Sequence, residues 1–177
     1  MKLYVMRHGK TRFNAEKRFQ GKIDVDLNEE GIKQAEEARE KVKKLDIDII
    51  ICSPYLRAKH TCEIVNANKV PVIYDKRLEE RCCGIYEGKE LGEFYNTDFW
   101  NYNSKLKVEG LESIQDLFKR VKLFLDEIKE KYNDKNILLV AHGGISKGVY
   151  YYFNEIPEDG MVSKFRTHNC EIKEYDW

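Results

Sequence analysis

The sequence predicts an α/β fold, a three-layer α/β/α arrangement with a mostly parallel sheet and a short lid insertion, and two observations predict it. Short apolar runs of strand length alternate along the chain with segments whose apolar residues recur at three- and four-residue steps. A single stretch, 89–110, breaks that alternation and is polar and rich in aromatic residues.

The first strand is expected at Lys2 to Met6 and the second at Ile47 to Cys52, both apolar enough to be buried on two faces. A helix between them is signalled by Ile32, Ala35, Ala38, Val42 and Leu45, with Asn28 as its cap. The next helix is expected to begin at Ser53-Pro54, where serine can cap and proline suits the first helical position; Ala58, Cys62 and Val65 form its apolar face. Val72 to Tyr74 and Ile137 to Ala141 read as two further strands. Between them a long helix from about Glu112 to Tyr132 carries Ile114, Leu117, Phe118, Val121, Leu125 and Ile128 as its stripe. A last helix follows Gly144 through Tyr150 to Phe153, four aromatics expected in the core, and the tail Val162 to Tyr175 is expected to supply two edge strands. One domain over 1–177 is expected, with a small lid at about 89–110 containing Phe94, Tyr95, Phe99, Trp100 and Tyr102, aromatics expected mainly to pack.

Charge narrows the partners. Lys plus Arg and Asp plus Glu number 31 each, so nothing marks a nucleic-acid or acidic-membrane partner, and anion binding must come from a local site. The opening apolar run is too short for a signal peptide, no stretch approaches the roughly 20 apolar residues of a membrane span, and a cytoplasmic location is expected. Cys52, Cys62, Cys82, Cys83 and Cys170 lack the spacing of a disulfide framework and read as free thiols. With no HxxxH, HxH or CxxC spacing, no metal and no cofactor is expected.

In open α/β sheets ligands bind beyond the carboxyl ends of the strands, and here those ends carry reactive residues. The first strand runs into Arg7-His8-Gly9, the second into Ser53-Pro54 with Arg57 one turn later, the third is followed by Glu79-Glu80, and the fourth ends in His142-Gly143-Gly144. Two imidazoles, two guanidinium groups and a carboxylate match the needs of phosphoryl transfer. A neutral imidazole can attack phosphorus, guanidinium forks bind its oxygens, and a carboxyl group can protonate the leaving oxygen and later activate water. The residues leave Glu79 and Glu80 undecided. His60 and His168 read as ordinary structural or surface histidines.

Arg7-His8-Gly9-Lys10-Thr11 with Asn14 resembles the RHGxTxxN signature of the histidine phosphatase superfamily, the phosphoglycerate-mutase-like proteins. The likeness continues through Arg18-Phe19-Gln20-Gly21, Gly31-Ile32-Lys33-Gln34-Ala35, Ser53-Pro54-Tyr55-Leu56-Arg57-Ala58 with Thr61, Leu78-Glu79-Glu80, and Ala141-His142-Gly143-Gly144, in the family's order over nearly the whole chain. The resemblance implies His8 as nucleophile, Arg7, Arg57 and His142 as the phosphate pocket, and Glu80 as proton donor. It further implies Asn14, Gln20, Gly21 and Gly143 as substrate contacts. Lys10 departs from the pattern, many members carrying glutamate there. The expected activity is that of a phosphatase of small phosphorylated metabolites, of ribazole-phosphate type or broad specificity, working through a phosphohistidine as monomer or homodimer. The alternatives are a phosphoglycerate mutase, disfavoured by the short segment between Gly88 and Glu112, and an inactive phospho-ligand-binding module.

Overall fold

The computed structural model describes residues 1–92, 95 and 97–177. Five strands form one sheet in the order β3-β2-β4-β1-β5. They are β1 (Lys2–Arg7), β2 (Ile49–Cys52), β3 (Val72–Tyr74), β4 (Ile137–Ala141) and β5 (Ile172–Asp176). The neighbours β3-β2, β2-β4 and β4-β1 pair in parallel, whereas β5 runs antiparallel along β1.

Alternation along the central strands divides the interior in two. Leu3, Val5, Leu139 and Ala141 face one core with Leu117, Val121 and Leu125 of α4 (Ile114–Lys131) and Ile145 and Val149 of α5 (Gly143–Phe153). Tyr4, Met6, Leu138 and Val140 face the other with Ala35, Ala38 and Val42 of α2 (Glu29–Val42) and Ala58, Cys62 and Val65 of α3 (Leu56–Val65). A central strand buried on both faces by helices is what parallel pairing requires, and it explains why β1, β2 and β4 are apolar at nearly every position. Asn28 caps α2 by accepting from Gly31 N, and Ser113 caps α4 by accepting from Asp116 N. A four-residue α1 (Arg12–Ala15) opens on a capping box between Thr11 and Asn14.

Four expectations are corrected. The helix after β2 begins at Leu56, with no side-chain cap at Tyr55; Ser53 stands before it, its Oγ shared between His142 Nε2 (2.8 Å) and Tyr55 N (3.4 Å). The tail supplies one strand, β5; Val162–Lys164 is a single 3-10 turn, its apolar Val162 buried in the α4/α5 core. Tyr150 to Phe153 are only partly buried, stacking instead with neighbours such as Phe165 (4.0 Å from Tyr150) and Tyr175 (4.8 Å from Phe153). In α4 the buried aromatic is Phe124 rather than Phe118, which lies on the flank against Tyr151.

The described residues of 89–110 pack onto the sheet's carboxyl edge. Phe99 and Trp100 are buried, Phe99 lies 4.8 Å from Phe19 and 5.5 Å from Tyr95, and the Arg81 guanidinium covers the rings of Phe99 (4.2 Å) and Trp100 (5.1 Å). Arg81 also donates to the carbonyls of Phe99 and Glu112, tying the segment to the start of α4. Phe94 lies outside the described residues. The five cysteines are free, with Cys52, Cys62 and Cys83 buried. Among the described residues no helix is long and apolar enough to cross a membrane.

Candidate active site

Parallel registers bring the first and fourth strand ends side by side: Arg7 pairs with Ala141, and His8 N donates to Ala141 O at 2.9 Å. The residues next beyond them, His8 and His142, consequently lie with ring centroids 5.1 Å apart. On the other side of β4, Cys52 pairs with Val140, which sets Ser53 Oγ 2.8 Å from His142 Nε2.

His8 is 3% exposed, and its Nδ1 lies 2.7 Å from Gly9 O. A carbonyl can only accept, so Nδ1 carries the proton and Nε2 keeps the lone pair. Burial, reinforced by the charges of Arg57 and Arg7, lowers its pKa well below the usual histidine value, so the ring stays neutral. His142 is fixed with the opposite tautomer. Arg57 Nε donates to its Nδ1 at 3.2 Å, leaving the proton on Nε2 for Ser53. Its pKa is also driven well down, by burial first and then by Arg57. The loop after His8 is held close to α3 and α2: Gly9 N donates to Thr61 Oγ1, and a Cβ on Gly9 would come within 2.5 Å of Gly31 O.

Arg57 is completely buried at the start of α3. It donates from Nη1 to Ile23 O and from Nη2 to Gly21 O, both at 2.9 Å, and lies 4.8 Å above the Tyr55 ring. Gln20, with its amide oxygen turned to Arg57 Nε (2.5 Å) and Nη1 (2.9 Å), passes its nitrogen to Thr11 Oγ1 at 2.6 Å. Burial lowers the Arg57 pKa to about 10, which still leaves it a cation at neutral pH. Arg7 donates from Nη1 to Thr167 O at 2.8 Å. Asn14 spends its oxygen on Thr11 and Asn169, so the amide nitrogen is the donor it has left for a ligand.

Glu80, not Glu79, reaches this edge. Both of its oxygens accept from Gly144 N at 3.1 Å, and Oε1 also accepts from Arg81 N at 2.7 Å, so the carboxylate sits on the positive end of α5. A Cβ on Gly144 would fall 2.2 Å from Glu80 Oε1, which makes glycine a requirement of the approach. Glu79 instead accepts from the Tyr55 hydroxyl at 3.1 Å.

A cavity of about 530 Å³ gathers Arg7, His8, Asn14, Gln20, Gly21, Arg57 and Glu80. His142 touches it through the His8 ring, and Gly143 borders an adjoining cavity that shares Arg7 and Glu80. Tyr95, Phe99 and Trp100 wall the main cavity, so the aromatics of 89–110 both pack and line. His168, read from the sequence as off-site, is exposed at the rim, whereas His60 pairs with Asp26 at the surface. Ser53 and Thr61, which orient His142 and Gly9, lie within the sequence motifs, but nothing in their spacing announced those hydrogen bonds. Among the described residues no group of three or more His, Cys, Asp or Glu side chains is arranged to hold a metal ion.

The family profile of the histidine phosphatase superfamily (branch 1) matches residues 3–177. Phosphoserine phosphatase 1 of Hydrogenobacter thermophilus is 30% identical over 99% of this chain and 84% of its own length. Phosphoglycerate mutase-like protein 4 of Arabidopsis thaliana is 33% identical over 84% of this chain and 69% of its own. Among solved structures, the alpha-ribazole phosphatase of Shigella flexneri superposes with a TM-score of 0.83 at 25% identity, covering 99% of this chain and 90% of that one.

Proposed function

The chain belongs to branch 1 of the histidine phosphatase superfamily, and on that premise we propose that it hydrolyses small phosphomonoesters through a phosphohistidine at His8. The observation that carries this reading is the His8 ring itself: a neutral imidazole whose Nδ1 is tied to Gly9 O, leaving Nε2 as the nucleophile beside two guanidinium groups. In the first step the Nε2 lone pair forms the N–P bond while the P–O ester bond breaks, and the Glu80 carboxyl gives its proton to the departing alkoxide. In the second, Glu80 takes a proton from water as the water oxygen attacks phosphorus. The N–P electrons return to Nε2, and inorganic phosphate leaves. Arg7, Arg57 and the amide of Asn14 hold the phosphoryl oxygens through both steps, while His142 backs the His8 ring and fixes Arg57 through Nδ1. Gln20 and Gly21 keep Arg57 in place, and Gly143 borders the substrate space. Segment 89–110 serves as a lid over the cavity, in one domain with the rest. The charge stabilisation comes from side chains, so the reaction runs without a metal or cofactor, in the cytoplasm, on a phosphorylated metabolite, in a monomer or homodimer.

Hydrolysis is favoured over mutase chemistry because the cavity rim at Lys17 and His168 is exposed, giving water a path to the phosphohistidine. The relative named mutase-like makes the comparison worth running. Incubated with 3-phosphoglycerate and a panel of other phosphomonoesters, the protein is expected to release phosphate at a rate indifferent to chelator. Interconversion of 3- and 2-phosphoglycerate without net phosphate release would reverse the reading.

Gly144→Ala is expected to lower kcat for phosphate release by about 10- to 100-fold, part of the 10²–10⁴ that acid–base catalysis supplies, by displacing Glu80. The added methyl meets Glu80 and the Trp100 ring rather than backbone, so the fold should survive. Circular dichroism alongside phosphate release checks both halves; an unchanged kcat would show that the position of Glu80 is immaterial.

A further inference from the structure

Helix α5 carries a single charge, Lys147, and it is buried, 7% exposed. Its side chain lines the second cavity, of about 280 Å³, which adjoins the first and shares Arg7, Glu80 and Trp100 with it but contains neither His8 nor Arg57. An ammonium taken out of water is costly unless it finds a partner. Among the described residues Lys147 Nζ donates no hydrogen bond; the ring of Trp100 at 4.9 Å is the contact it makes. Glu80, the carboxylate beside it, is already spent on Gly144 N and Arg81 N.

Two more polar atoms on the same cavity are in the same condition. Arg7 Nε and Thr167 Oγ1 are buried without a hydrogen-bond partner among the described residues. Arg166 adds a charge at the exposed mouth. Three unspent polar atoms around a hollow, two of them on cationic side chains, make a receptor for an anion. Burial, with Arg7 nearby, lowers the Lys147 pKa to about 8, and the side chain remains mostly charged at neutral pH.

We infer that this second cavity receives an anionic group on the alcohol portion of the substrate, held by Lys147 with Thr167 and Arg166, while the scissile phosphate sits at His8. The inference rests on the phosphatase reading and narrows its substrate class to phosphomonoesters bearing a second negative charge, a carboxylate or another phosphate. A site built to pair with such a group should discriminate strongly against substrates that lack it.

The test compares two pairs of esters that differ at the remote group: 3-phosphoglycerate with glycerol 3-phosphate, and fructose 1,6-bisphosphate with fructose 6-phosphate. For each pair the ratio of kcat/KM, acidic over neutral, is measured in wild type, Lys147→Met, Lys147→Arg and Arg166→Ala. Lys147→Met is expected to lower the ratio by about 10- to 100-fold in at least one pair, chiefly through KM, the usual loss when a charged hydrogen bond is removed. Lys147→Arg should restore most of it. Arg166→Ala, on an exposed side chain, should lower the same ratio by about three- to tenfold and keeps the test standing if the buried variant folds poorly. The pair that responds tells carboxylate from phosphate. Ratios within twofold of wild type in both pairs would overturn the inference and leave hydrolysis itself intact. A wild-type protein that hydrolyses none of the four esters would remove the phosphatase reading and the subsite with it.

Discussion

His8→Ala is expected to lower kcat for phosphate release by about 10⁴- to 10⁶-fold, the scale on which deleting a nucleophile acts when nothing else in the site can accept the transferred group. His142 cannot substitute. Its Nδ1 accepts from Arg57 Nε and its Nε2 proton is committed to Ser53, so no free lone pair faces the cavity. The variant should still bind inorganic phosphate, because Arg7 and Arg57 remain. The pH profile of the wild type tests the same ring. Nucleophilic attack needs the unprotonated form, and the His8 pKa is lowered well below the ordinary value of 6.5, by burial first and then by Arg57 and Arg7. Lowering the pKa extends the active form toward acid, so kcat/KM for the free enzyme should show no loss centred near pH 6.5 and should fall only at distinctly lower pH. A single-proton loss with a midpoint at 6.5 that disappears in His8→Ala would contradict the buried, neutral ring.

Arg57→Ala is expected to cost both activity and stability. Removing the guanidinium leaves Gly21 O, Ile23 O and His142 Nδ1 buried without their donor, at about 1–3 kcal/mol each, and the summed loss should be about 3–5 kcal/mol after relaxation. For a chain of this size that corresponds to a fall in Tm of roughly 6–20 °C. Loss of the guanidinium charge and of its remaining donor beside the phosphoryl group should also lower kcat/KM by about 10³-fold. Arg57→Lys separates the two effects. It keeps a positive charge but not the planar set of donors, so Tm should recover in part while kcat/KM stays at least about 10²-fold down. Thermal melts and steady-state kinetics on the three proteins check this; a lysine variant with wild-type kinetics would show that charge alone suffices.

Much of this architecture is legible in the chain because burial on two faces leaves so plain a mark. Val72–Tyr74 and Ile137–Ala141 are bounded in sequence where they are bounded in space, and the Asn28 cap defines the start of α2. Strand ends are also where chemistry collects, which is why Arg7, His8, Arg57, His142 and the pair Glu79-Glu80 can be picked out before any contact is known. What the pattern hides is where a polar side chain spends its hydrogen bonds. Ser53-Pro54 carries a helix-start signal, yet Ser53 turns to His142, a partner 89 positions away. Choosing Glu80 over Glu79 needs the α5 amide that only folding brings beside it. Lys147 left a trace, a lone charge in an otherwise uncharged helix, but its burial against Trp100 depends on how 89–110 packs. Aromatic runs mislead in the other direction: Tyr150 to Phe153 look like core, and stacking at the surface accommodates them half-buried.

The most direct measurement is to catch the phosphoryl group in transit. Enzyme mixed with a phosphomonoester and quenched in base within one turnover should carry base-stable, acid-labile phosphate, which peptide mapping places on His8. ³¹P NMR of the denatured adduct distinguishes the two ring nitrogens, and the tie between Nδ1 and Gly9 O requires the phosphorus to be on Nε2. Phosphate found on another residue or on Nδ1, or rapid turnover with no covalent phosphate at any quench time and no build-up when Glu80→Gln slows its hydrolysis, would contradict catalysis through the His8 ring.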